Sequence, residues 1–136
     1  MYKKYFSSLI IILIISLIFI AGCSEKQSDN SATPEGLLNN YIHYFNSGEG
    51  DNVYSLLSSQ TKETYDEDFI YNTVKALHDG GLEISGITIV EKEIQGNTAN
   101  VKLQLKFNVQ GYQKTKDKDT VFIFENGAWK LTELLK

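Results

Sequence analysis

The clearest pattern in the chain is an alternation. Ala99, Val101, Leu103, Leu105, Phe107 and Val109 take turns with Asn100, Lys102, Gln104, Lys106, Asn108 and Gln110. A period of two places the sets on opposite sides of a strand, so the segment predicts a long strand with one dry and one wet face. Upstream, Leu82 to Glu93 also reads as a strand, but its apolar positions change parity. Leu82 and Ile84 are on one phase, Ile87 and Ile89 on the other, and Gly86 stands at the change, where a bulge or bend is expected. Gln95-Gly96-Asn97 predicts a turn between these strands. Gly111 to Asp119, polar and rich in lysine, predicts a connection. Thr120 to Glu125 predicts a third strand and Ala128 to Leu134 a fourth, joined by Asn126-Gly127, a strong two-residue hairpin signal. That turn sets the register: Glu125 faces Ala128, Phe124 faces Trp129 and Phe122 faces Leu131.

Before residue 82 the period is helical. Thr33 is a capping residue, Pro34 suits the first helical position and Glu35 favours the helix dipole. Leu37, Leu38, Tyr41, Ile42 and Phe45 follow as one apolar stripe, ending near Asn46-Ser47-Gly48. Asp51 opens a short second helix with Val53, Tyr54, Leu56 and Leu57 inward. Gln60 to Tyr65 is either a further helical turn or a loop. Asp66-Glu67-Asp68 starts a third helix carrying Phe69, Ile70, Thr73, Val74 and Leu77, and Gly80-Gly81 ends it. The expected class over 33–136 is α+β, with three N-terminal helices packed on a curved four-stranded antiparallel sheet.

The start of the chain follows neither period. Lys3 and Lys4 precede an apolar run from Leu9 to Ile20, broken only by Ser16, and small residues lead to Cys23. This order describes an export signal over 1–22. The run is short for a bilayer span of roughly 20 residues. Tyr5 and Phe6 extend it, and a retained anchor stands as the alternative. Ile20-Ala21-Gly22-Cys23 resembles the lipobox of prokaryotic lipoprotein signals. In that family the cysteine sulfur receives a diacylglyceryl group and the chain is cut just before it. The resemblance implies lipid attachment at Cys23, a membrane partner and an extracytoplasmic location. Each buried methylene supplies about 0.8 kcal/mol, and two chains or more make a durable anchor. The bland reading of Cys23, a small buried hydrophobe, conflicts with the polar stretch beside it. As the single cysteine it forms no disulfide within the chain. Residues 23–32 read as a flexible tether.

Charge narrows the partners. Without Lys3 and Lys4, eleven lysines and no arginine stand against 17 acidic residues, a net charge of −6. Nucleic-acid binding rests on cationic phosphate contacts, and none is expected here. Anionic headgroups are equally poor partners.

Helices followed by a curved sheet resemble the nuclear transport factor 2-like, cystatin-type cone fold. The resemblance rests on the first-helix pattern ending Tyr44-Phe45, on Asp51 to Ser58, on Glu91 to Val101 with its Gly-Asn-Thr-Ala-Asn-Val hairpin, and on Phe124-Glu125-Asn126-Gly127-Ala128-Trp129-Lys130-Leu131. The last stretch is typical of small lipoprotein domains of unknown function with this fold. It is also similar to the non-catalytic N-terminal domain of low-affinity penicillin-binding transpeptidases. The fold hosts enzymes, binders and spacers, so function must come from the site.

Enzymes of this superfamily place an Asp/His or Asp/Tyr set inside the cone, whereas the dry face of the long strand carries no ionisable group. No catalysis, cofactor or metal is expected. His43 falls opposite its helix's apolar stripe and His78 at a helix end, where a cation suits the dipole. Asp66-Glu67-Asp68 reads as capping in preference to a cation site. Lys114, Lys116 and Lys118, alternating with Asp117 and Asp119, read as a solvated hairpin end or a partner-docking loop. Tyr41, Tyr44, Phe45, Phe69, Phe107, Phe122, Phe124 and Trp129 form either solid core or the lining of a pocket for a small apolar ligand. Asn100, Lys102, Gln104, Lys106 and Asn108 make the outer sheet face a poor interface, which favours a monomer, with Val121 and Ile123 its only apolar candidates. The expected role is a membrane-tethered binding or spacer module of the cell envelope. Its partner would be an envelope protein, or a small apolar ligand if the domain is a carrier or sensor. An isomerase or dehydratase-like enzyme is the remaining alternative.

Overall fold

The computed structural model describes residues 30–136. The signal expected over 1–22, Cys23 and most of the tether lie outside the described residues. Four helices come first: α1 (Pro34–Asn46), α2 (Gly50–Ser55), α3 (Ser59–Thr64) and α4 (Glu67–Asp79). Four strands follow: β1 (Leu82–Gln95), β2 (Thr98–Val109), β3 (Tyr112–Glu125) and β4 (Ala128–Leu131). They form one antiparallel sheet in the order β1-β2-β3-β4. The class is α+β, with four described helices where three were expected. The additional one is α3, which the sequence left between helix and loop. The Ser58 hydroxyl caps it by accepting the Thr61 N–H.

Three of the four helices, α1, α3 and α4, begin on a side-chain cap. Thr33 Oγ1 accepts the Gly36 N–H at 3.0 Å, and Asp66 Oδ1 accepts the Phe69 N–H at 2.7 Å. After α1 the chain turns at Gly48, whose φ of +70° suits glycine. The ring of His78 packs over it, and an added β-carbon would meet that ring at 3.0 Å.

β2 behaves as its alternation requires. Ala99, Val101, Leu103, Leu105 and Phe107 are buried, and Lys102 and Lys106 are exposed on the opposite face. Only Val109, at the strand end, departs from the dry face. In β1 the pairing shifts between Ile84 and Gly86, as the change in parity predicted, and again between Ile89 and Glu91. The first bulge is held by a helix side chain. Asn46, the last residue of α1, donates from Nδ2 to Ile84 O at 2.9 Å and accepts the Ile84 N–H at 2.8 Å. Both polar groups of an edge residue are thereby satisfied, and α1 is fixed across the sheet.

Two sequence expectations need correction. Gly111 to Asp119 is not a connection, because β3 begins at Tyr112 and pairs with β2 without a shift. The turn is only Gln110-Gly111, both with positive φ. Polar side chains occupy both faces there, which hid the period. Lys114, Lys116 and Lys118 lie opposite Phe107, Leu105 and Leu103, on the helix-facing side. At the other end, β4 stops at Leu131 rather than Leu134. The Thr132 hydroxyl donates to Val121 O at 2.8 Å and its carbonyl accepts the Thr61 hydroxyl at 2.9 Å. These bonds draw the chain off the ladder.

The Asn126-Gly127 hairpin has φ of +53° and +80° and sets the expected register. Phe124 and Trp129 meet edge to face, with ring centroids 5.3 Å apart. The fold also reaches back into the segment read as tether. Ser31 is fully buried, and its carbonyl accepts the Trp129 N–H at 2.8 Å.

Asn46→Ala leaves both polar groups of Ile84 without their partner and should cost about 1–3 kcal/mol in urea unfolding, with the far-UV spectrum retained. A loss under about 0.3 kcal/mol would show that water replaces the side chain freely.

Candidate functional site

The cone interior is where the sequence placed its candidate residues. Tyr41 and Phe45 project from α1, Phe107 from β2, Phe122 from β3 and Trp129 from β4, and all five are buried in one core cluster. Tyr44 and Phe124 pack on that cluster and are half-buried. Phe69 is elsewhere: it is 50 % exposed and stacks on Tyr65 at 5.3 Å. The cap at Asp66 sets the phase of α4. That phase turns Ile70 and Val74 inward and leaves Phe69 on the flank. The eight aromatics therefore do not line one common pocket. Seven belong to the core or its margin, and one borders an open depression.

What fills the cone centre was missed from the sequence. After Thr132 the chain runs inward, and Leu135 is fully buried. The Tyr41 hydroxyl donates to Leu135 O at 3.2 Å and accepts the Leu135 N–H at 3.0 Å. Both main-chain polar groups of a residue outside any sheet are satisfied by a single phenol. Burial pushes the Tyr41 phenol far above its ordinary value near 10, so it stays neutral. Two lysines of β3 hold the same segment from the sheet side. Lys118 pairs with Glu133 at 2.8 Å, and Lys116 donates to Lys136 O at 3.2 Å. The advance signal was Leu135, an apolar residue just past the expected end of the fourth strand at Leu134.

Two of the depressions on the described surface bear on function. One, about 200 Å³, is mainly apolar and lies between α3, α4 and the inward-running segment, with Leu57, Thr61, Tyr65, Phe69, Ile70 and Leu134 around it. The other, about 660 Å³, is a broad polar saddle reached by Glu91, Glu93, Lys102, Asp119 and Glu133. Register places Glu91, Lys102 and Asp119 in one row across three strands, so the lysine sits between two acids. Glu91 and Lys102 approach to 3.9 Å.

The remaining candidates have structural roles. His43 is exposed beside Tyr44, and His78 covers Gly48. Asp66 caps α4. Among the described residues, no group of three or more His, Cys, Asp and Glu side chains could hold a metal ion. No described helix is long and apolar enough to cross a membrane. Thr120 Oγ1 is buried without a hydrogen-bond partner among the described residues.

Tyr41→Phe should cost about 1–3 kcal/mol, because it strands both polar groups of Leu135. Its effect should depend on pH. Only the unfolded chain ionises this phenol readily, so the native state is fully favoured below about pH 10 and loses ground as pH rises beyond it. The difference between wild type and Tyr41→Phe should then fall by up to about 1.4 kcal/mol per pH unit. A constant difference from pH 8 to 11 would contradict the buried phenol. Thr120→Val, which removes an unpartnered hydroxyl, should be neutral or stabilising by up to about 1 kcal/mol in the same assay.

No protein-family model matches the sequence, and no curated protein matches it. Solved structures do resemble it. A SEC-C motif containing protein from Rhodopseudomonas palustris superposes with a TM-score of 0.64 at 15% identity, over 79% of this chain and 80% of that one. A function-unknown protein from Mycobacterium tuberculosis gives 0.57 at 11% identity, over 83% and 73%. A protein described as a nuclear transport factor 2-like transpeptidase from Campylobacter jejuni gives 0.52 at 21% identity, over 76% and 99%. At these identities the likeness speaks for the fold alone, and that fold is nuclear transport factor 2-like.

Proposed function

We propose that this chain is a lipid-tethered, non-catalytic binding or spacer module on the outer face of the cell membrane. The observation that carries the reading is the filled cone. Tyr41 places a hydroxyl at its centre, and both hydrogen-bonding directions of that hydroxyl are used on the main chain of Leu135. General acid–base work needs a titratable group within reach of a substrate proton. The Tyr41 phenol has no exposed surface, and burial holds it neutral. The anchor half of the reading rests on Ile20-Ala21-Gly22-Cys23 and the apolar run before it.

Intact-mass analysis of the protein extracted from membranes tests the anchor. The expected species begins at Cys23 and carries the mass of a diacylglyceryl group, and Cys23→Ala abolishes it. A chain of unmodified mass that begins elsewhere would overturn the reading.

A second reading is favoured by the apolar depression at Phe69. A dry site of about 150 Å³ holds one benzene ring. The depression of about 200 Å³ beside the half-exposed Tyr65–Phe69 stack suits a single small ring. A thermal-shift series with benzene- to indole-sized compounds should raise the melting temperature of wild type, and Phe69→Ala should abolish the rise. No shift at millimolar ligand would remove this reading.

A further inference from the structure

The point where the chain leaves the fold is fixed. Ser31 O accepts the Trp129 N–H at 2.8 Å, and Ser31 Oγ accepts from Asn40 Nδ2 at 3.2 Å. The main-chain oxygen of Asn30 lies so close to Gly36 that no β-carbon fits between them. Trp129 faces Phe124 across the last hairpin, and the Phe124 N–H donates to Asn97 O at 2.7 Å. Ser31, Trp129, Phe124 and Asn97 thus form one row across the sheet, level with the β1–β2 and β3–β4 turns. The β2–β3 turn, Gln110-Gly111, is at the opposite end.

Lengths then decide which end can approach a bilayer. Seven residues follow Cys23 up to Asn30, and whatever their conformation they span at most about 25 Å. The 12 residues of β2 separate the two ends by about 35–40 Å. With Cys23 held at the headgroups, an inverted domain is out of reach. The outer sheet face is also unfavourable against the surface, because it carries Glu91, Asp117, Asp119, Lys102 and Lys106, all exposed, and the apolar Val90 and Ile94 that β1 exposes lie toward the exit end. The turns at the exit end, Gln95-Gly96-Asn97 and Asn126-Gly127, carry no charge and no apolar side chain, so they can lie near the headgroups without inserting.

We infer that the domain stands upright on the lipid bilayer, with its β1–β2 and β3–β4 turns toward the headgroups and the β2–β3 hairpin pointing away. This inference rests on the anchor at Cys23. It places the tip bearing Tyr112, 81 % exposed, farthest from the membrane.

The test uses the full lipidated chain in phosphatidylcholine vesicles that carry a nitroxide on the headgroup. A fluorophore is placed on Gln95→Cys or on Gln113→Cys, both exposed positions, at opposite ends of the sheet. Co-flotation with the vesicles is scored on the same samples. Flotation with the Gln95→Cys probe quenched at least threefold more than the Gln113→Cys probe is the expected result. Flotation with equal or reversed quenching overturns the upright stance while leaving the anchor intact. Failure of the wild-type chain to float overturns the anchor and this inference with it.

Discussion

The domain closes around one phenol. Tyr41 stands at the centre of the cone, out of contact with water, and a lone hydroxyl there would be costly. Its two bonds to Leu135 remove that cost and at the same time satisfy both main-chain polar groups of a residue that belongs to no strand. Because the bonds work in both directions, neither partner can leave without stranding the other. The inward run after Thr132, the early end of β4 and the lysine contacts of β3 all follow from bringing Leu135 to this point.

That arrangement shapes the chemistry available. A cone fold can hold a wet cavity between helices and sheet, and here Leu135 joins the buried aromatics of α1, β2, β3 and β4 in one core cluster. Polar groups that remain accessible lie outside, in the saddle of Glu91, Lys102 and Asp119 and along the β3 edge. In the saddle, acids and lysine answer one another. Along β3, Lys116 and Lys118 are engaged by Lys136 and Glu133. Lysines on this unpaired edge also discourage another strand from adding to it. Apolar surface is left at the Tyr65–Phe69 stack, at Val90 and Ile94 on β1 and at Tyr112 beside the β2–β3 turn.

Much of this was legible in the residues, because the signals were periodic or conformationally demanding. The β2 alternation named its own dry face. The parity change at Gly86 located a bulge, and Asn126-Gly127 set the register that joins Phe124 to Trp129. The failures have physical reasons. Lys114 to Lys118 lie on a strand whose helix-facing side is not covered by a helix, so no apolar alternation marks it. Phe69 fits a helical stripe by counting, yet the cap at Asp66 fixes the phase that turns it outward. The Tyr41–Leu135 contact joins residues 94 positions apart and has no local signature. Ser31 looks like linker from composition, and only the folded domain brings it to Trp129 on β4 and Asn40 on α1.

The proposed role, a tethered module without turnover, depends on the cone being closed in solution. Hydrogen exchange at the Leu135 amide tests this most directly, since its proton is bound to the Tyr41 oxygen and shielded by the core. The account predicts protection comparable with the amides of Leu103 and Leu105 at the centre of β2. Exchange as fast as in an unstructured peptide, with those β2 amides still protected, would mean that the interior is open and the account is wrong.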